Sequence, residues 1–164
     1  MDFINKAGLF ALLLVAQVMM LNHIRFFGVA TPMLCIYFVI RFQRNYPKWA
    51  MLLWAFFLGL LVDIFSDTPG ISSASLTLAA LLQPYLLNLF VQRDAAEEMT
   101  PTLHALGPVK FSYYAMTLVL VYCMAFFTLE AFSFLEGGRW LSCVGGSSVL
   151  TFIIVYAIEN LRQS

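Results

Sequence analysis

Apolar residues run through this chain in long blocks, and the polar residues fall mostly between them. Six blocks stand out: Ala7–Asn22, Gly28–Ile40, Trp49–Phe65, Ser72–Val91, Val109–Phe132 and Trp140–Leu161. Several approach the ~20 residues that an α-helix needs to cross the hydrocarbon core of a bilayer. The pattern therefore predicts six membrane-spanning helices. The second block is the shortest and opens at Thr31-Pro32, a place where proline fits the first turn of a helix. It either spans a thinned bilayer or dips in and returns. The first block has only Lys6 ahead of it, and His23-Ile24-Arg25-Phe26-Phe27 follows in place of a small-residue cleavage site. It reads as a retained helix, not a signal peptide.

Composition agrees with the pattern. The 164 residues are 62% hydrophobic and 11% charged, against about 45–50% and about 25% for a soluble domain. A soluble fold of this size has too little interior to hide that much apolar surface, so the class is an all-α polytopic membrane protein. The formal net charge is zero and no basic cluster with interleaved aromatics is present, which argues against nucleic-acid binding. Cys35, Cys123 and Cys143 all lie in apolar blocks without CxxC or Cys/His spacing and read as small buried residues.

The lysines and arginines set an orientation. With the N-terminus cytoplasmic, the inner segments hold Lys6, Arg41, Arg44, Lys48, Arg93, Lys110 and Arg162, and the outer ones only Arg25 and Arg139. That bias follows the positive-inside rule and places both termini in the cytoplasm. Removing the second span would reverse everything after it and put Arg93 and Lys110 outside. The longest polar interval, Arg93–Pro108, is then a cytoplasmic linker with one helical turn over Asp94–Met99, closed by Thr100-Pro101. No interval leaves room for another domain, so residues 1–164 form a single transmembrane unit.

Candidate chemistry begins with Asp63, at the outer end of the third span, roughly two-thirds to four-fifths of the way across at 1.5 Å per residue. A carboxylate at that depth is costly without a partner. Asp67 follows four residues later and is on the same face if the helix continues. Paired aspartates that share a proton are the chemistry of intramembrane aspartyl proteases, but Asp67 falls in Asp-Thr-Pro-Gly, strong turn chemistry, and no matching aspartate motif occurs on another span. The alternative is structural. Asp63 hydrogen-bonds the start of span four, where Ser72, Ser73 and Ser75 offer hydroxyls and free backbone N–H groups.

Span four is the most polar, with Ser75, Thr77, Gln83 and Asn88, and Pro84 beside Gln83 frees a carbonyl about one turn earlier. These groups either line a pocket for a polar ligand or hydrogen-bond between helices, with Gln17 of span one a candidate partner for Gln83. In span six, Ser142 with Gly146 and Cys143 with Ser147 form small-xxx-small pairs, which fit close packing inside the bundle. Asp63, Asp67, Glu130 and Glu136 make the outer face acidic. His23 and His104 lie at opposite faces, too far apart to pair as metal ligands. No phosphate-binding loop, nucleophile elbow or zinc-protease motif is present, and no paired aspartate boxes. The chain reads as non-enzymatic and without a cofactor.

From Thr31-Pro32 to about Asn88 the sequence resembles the rod shape-determining protein MreD family. Pro32 opens a short apolar span that ends in Arg41 and Arg44. The next span ends Gly59-x-x-x-Asp63, then Ser66, and a turn at Gly70 leads into a small, polar helix beginning near Ser72 and carrying Gln83 and Pro84. The family often has an aliphatic residue before the turn glycine, where this chain has Pro69. The resemblance implies a fold similar to the substrate-binding subunits of energy-coupling-factor transporters. It also implies a non-enzymatic scaffold of the wall-elongation machinery in the bacterial cytoplasmic membrane. The partners it implies are the single-span periplasmic protein MreC, the cytoskeletal MreB, and the RodA synthase with its penicillin-binding protein, in contact with membrane lipid. Gly59 and Asp63 share one helix face, so Gly59 lets a neighbouring helix pass close beneath the carboxylate. Asp63 is then expected to clamp the outer end of span three to Ser72 and Ser73, beside a partner-binding rim. The competing expectation is a small-molecule-binding transporter subunit with a pocket near Gln17, Gln83 and Asn88.

Overall fold

The structure, a computed structural model, describes residues 3–23, 34–44, 46–67, 69–94, 101–130 and 137–163. Pro32 lies outside them. Seven helices and no strand occur among the described residues: α1 (Phe3–His23), α2 (Cys35–Ile40), α3 (Lys48–Ser66), α4 (Ile71–Phe90), α5 (Leu103–Leu106), α6 (Pro108–Glu130) and α7 (Gly137–Gln163). Four of them, α3, α4, α6 and α7, are long and apolar enough to cross a membrane, and α1 carries a shorter apolar stretch over Phe3–Met19. Large side chains on their outer faces are exposed, among them Leu12, Phe57, Ile64, Leu81, Val149 and Ile153. In water such a surface would aggregate. In a bilayer it is the lipid-facing surface.

The short helix α2 is the centre of the bundle. All six of its residues are buried, and it packs against α1, α3, α4 and α6. At 1.5 Å per residue it rises only about 9 Å, under a third of a ~30 Å hydrocarbon core, so α2 by itself does not cross. Cys35 and Cys123 are buried as free thiols and Cys143 is half-buried.

Polar contacts reveal how the helices alternate. Lys6 near the start of α1 lies over the Tyr46 ring, Arg41 just after α2 pairs with Glu159 near the end of α7, and Arg44 reaches Asn88 near the end of α4. The N-terminal end of α1, the C-terminal ends of α2, α4 and α7, and the start of α3 therefore meet at one end of the bundle. Of the eight described Lys and Arg residues, seven lie at this basic end and Arg139 at the other.

The connection from α4 to α6 carries a turn of helix that the sequence pattern did not place. The helical turn expected over Asp94–Met99 falls mainly on residues 95–100, outside the described ones. A described turn of helix, α5, comes later. Thr102 caps it by accepting from the Ala105 N–H at 3.2 Å, and Gly107 at φ +85° ends it before α6 starts at Pro108. A threonine cap, a glycine at positive φ and a proline at the next helix start are local signals for such a step.

Candidate functional site

The tightest joint in the molecule is between α3 and α4. α3 closes with Asp67 in the left-handed region, φ +56°, a conformation that aspartate tolerates better than most residues. Gly70 follows at φ +82° and is the N-cap position of α4. A glycine there supplies the backbone geometry but no side chain to accept from the first N–H groups of the helix. Asp63 supplies it from one turn back on α3. Its Oδ1 accepts from the Ser72 N–H at 2.8 Å and its Oδ2 from the Ser73 N–H at 3.0 Å. Both oxygens of a 4% exposed carboxylate thus serve the positive end of α4.

Gly59 makes this geometry reachable. It lies one turn below Asp63 on the same face of α3, and the α4 backbone passes directly against it. A Cβ built at Gly59 would come within 2.7 Å of Ser73 N and 2.8 Å of Ser72 O. Any side chain there would push α4 away from the carboxylate. The hydroxyls of Ser73 and Ser75 play a different part from the one expected of them. Ser73 Oγ donates to Gly70 O at 3.2 Å and Ser75 Oγ to Ile71 O at 2.7 Å, so they close on their own helix while the backbone N–H groups meet Asp63. Gly59, Asp63, Gly70 and Ser72 are brought together at this joint. Ser66 belongs to the last turn of α3, and Pro32 is not described.

Gln83 and Pro84 stand apart from that joint. Gln83, 1% exposed, donates to Phe42 O at 3.3 Å and to Tyr114 Oη at 2.9 Å, and Tyr114 Oη donates to Ile40 O at 3.4 Å. The amide and the phenol together satisfy carbonyls at the C-terminal end of α2, which α2 cannot satisfy itself because the chain turns away. Gln17 serves the other end of α2, where its Oε1 accepts from the Leu34 N–H at 2.7 Å. The two glutamines thus hold opposite ends of one short buried helix. Pro84 is inside α4 and half-buried.

The small-xxx-small residues of the last helix divide. Ser147 is fully buried, Cys143 and Gly146 are half-buried, and Ser142 is exposed with its hydroxyl on Gly138 O. The face of α7 turned inward runs through Val144, Ser148, Thr151, Val155 and Glu159.

Glu159 is a buried site that the sequence pattern did not single out. It is fully buried, accepts from Tyr37 Oη at 2.8 Å and pairs with Arg41 Nη1 at 3.3 Å. A carboxylate near the end of the apolar block Trp140–Leu161, with Arg41 on the same predicted side of the membrane, was the available signal. Arg41 Nε is buried without an acceptor among the described residues. Desolvating both charges offsets much of their attraction, so the pair by itself is weak evidence for stability. It ties α7 to the central helix α2.

No family model matches the chain, and neither a curated protein nor a solved structure gives a significant match.

Proposed function

We propose that this chain is a non-enzymatic membrane scaffold of the bacterial cell-wall elongation machinery, acting as proteins of the MreD family do. The observation that carries the reading is the α3–α4 joint. Gly59, Asp63 and Gly70, three of the residues on which the resemblance rests, meet there. Gly59 permits the close approach of α4, Asp63 caps it from a distance, and Gly70 makes the left-handed turn. In this reading six segments lie in the cytoplasmic membrane, the second as a central plug built on α2. Both termini and the basic end face the cytoplasm, as the positive-inside rule requires.

The Asp63 joint then stands at the outer rim, rigid enough to present a fixed surface to a single-span MreC-like partner. A RodA-type synthase with its penicillin-binding protein and the MreB cytoskeleton complete the assembly, with the Arg93–Pro108 loop the candidate cytoplasmic contact. The reading as a transporter's ligand-binding subunit is weaker on one specific ground. Gln17, Gln83 and Asn88, which would line its pocket, each hydrogen-bond a group of the protein itself.

The test is depletion of the chain from a rod-shaped host that encodes it. Rounding of the cells, reversed by the wild-type chain, is the expected result. Unchanged rod shape after full depletion overturns the proposal.

A further inference from the structure

At the basic end, two cations are held inside the protein. Lys6 is buried with its Nζ 3.6 Å from the Tyr46 ring centroid, and Arg41 is committed to Glu159. Lys48 and Arg44 differ, because their contacts place them on the outside of the α3–α4 pair. Lys48 Nζ lies 4.9 Å from the ring centroid of Tyr85, and Arg44 Nε donates to Asn88 Oδ1 at 3.3 Å. Tyr85 and Asn88 are three residues apart on α4 and so share one face. Two cations from the α2–α3 connection and the start of α3 therefore converge on a single stripe of α4.

That stripe continues away from the basic end through Leu81 and Leu78, which are 47% and 42% exposed, below Tyr85 at 59%. Trp49, next to Lys48, is 70% exposed. The order along the surface is cations, then amphipathic aromatics, then aliphatic side chains. It matches the order of a phospholipid from headgroup through the interface to the acyl chain. Charge complementarity identifies the headgroup. The seven cations of this end outnumber the five carboxylates that the sequence reading puts there, Asp2, Asp94, Glu97, Glu98 and Glu159, and Glu159 is already engaged by Arg41.

We propose that this face is a binding site for an anionic phospholipid, with its phosphate between Lys48 and Arg44, its glycerol region against Tyr85 and Trp49, and an acyl chain along Leu81 and Leu78. The site depends on the chain being embedded in a membrane and not on its wall-synthesis partners, so the two proposals fail separately. A basic side chain close to an anionic headgroup strengthens binding about fivefold.

The experiment titrates the purified full-length protein, in a nonionic detergent, with phosphatidylglycerol, phosphatidylcholine or inorganic phosphate, and counts bound lipid by native mass spectrometry. Phosphatidylglycerol is expected to bind in preference to phosphatidylcholine, and inorganic phosphate to leave it in place. Lys48→Gln and Arg44→Gln should each weaken phosphatidylglycerol about fivefold and leave phosphatidylcholine unchanged. Lys110→Gln, at the same end but on α6, should bind as the wild type does. Because Lys48 is exposed, its variant tests the site even if Arg44→Gln disturbs the contact to Asn88. Equal binding of the two lipids, displacement by inorganic phosphate, or equal losses in the Lys48 and Lys110 variants would each overturn the site.

Discussion

Replacing Asp63 separates its hydrogen-bonding role from its volume. In the wild type two backbone N–H groups at the start of α4 meet two carboxylate oxygens at 2.8 and 3.0 Å in a buried setting. Asp63→Leu keeps comparable bulk and removes both acceptors. Each buried N–H left without a partner costs about 1–3 kcal/mol, and the lost interaction with the helix dipole adds to that, for a total of about 3–6 kcal/mol. Asp63→Asn keeps one acceptor oxygen but turns an NH2 group toward the second N–H, so the loss falls to about 1–3 kcal/mol. Thermal unfolding of the purified protein in one mild detergent should rank wild type above Asp63→Asn and Asp63→Leu last, with the Asn variant still folded. The hydrogen-bonding argument is refuted if the Asn and Leu variants unfold at the same temperature.

Other residues give independent tests. Gly59→Ala should destabilise by about 1–3 kcal/mol, because the α4 backbone must move outward to admit the methyl group. Its effect should not add to that of Asp63→Leu, as measured in a double-mutant cycle on thermal unfolding. Glu159→Gln leaves Arg41 buried without its counter-charge and should cost about 3–5 kcal/mol, with most of the loss recovered when Arg41 is also made Met. Gln83→Leu removes the donor to Phe42 O and the partner of Tyr114, so stability should fall by about 1–3 kcal/mol. An unchanged melting temperature for that variant would mean that the end of α2 is held by other contacts.

The parts of this architecture that can be read from the sequence are those whose causes are local. The starts of α3 and α4 are visible because Pro47 precedes one and Gly70, at the close of the Asp-Thr-Pro-Gly turn, precedes the other. The partner of Asp63 is legible because it lies only nine and ten residues away, across a turn that the sequence announces. Glu159 is the opposite case. Its partners Tyr37 and Arg41 are 122 and 118 residues away, and no periodicity links an apolar block near the C-terminus to the short second one. The pairing of Gln17 with Gln83 rests on depth alone. Each glutamine instead serves an end of α2, because a six-residue helix leaves most of its backbone groups to be satisfied from outside.

The central claim concerns what this rigid bundle holds in the membrane. A tagged full-length chain, extracted from its native membranes in mild detergent and analysed by mass spectrometry with its bound proteins, tests it most directly. The scaffold account predicts recovery of a single-span MreC-like protein, with or without a RodA-type synthase. Recovery of a membrane coupling subunit and two ATPases would contradict it and make the chain the ligand-binding component of a transporter.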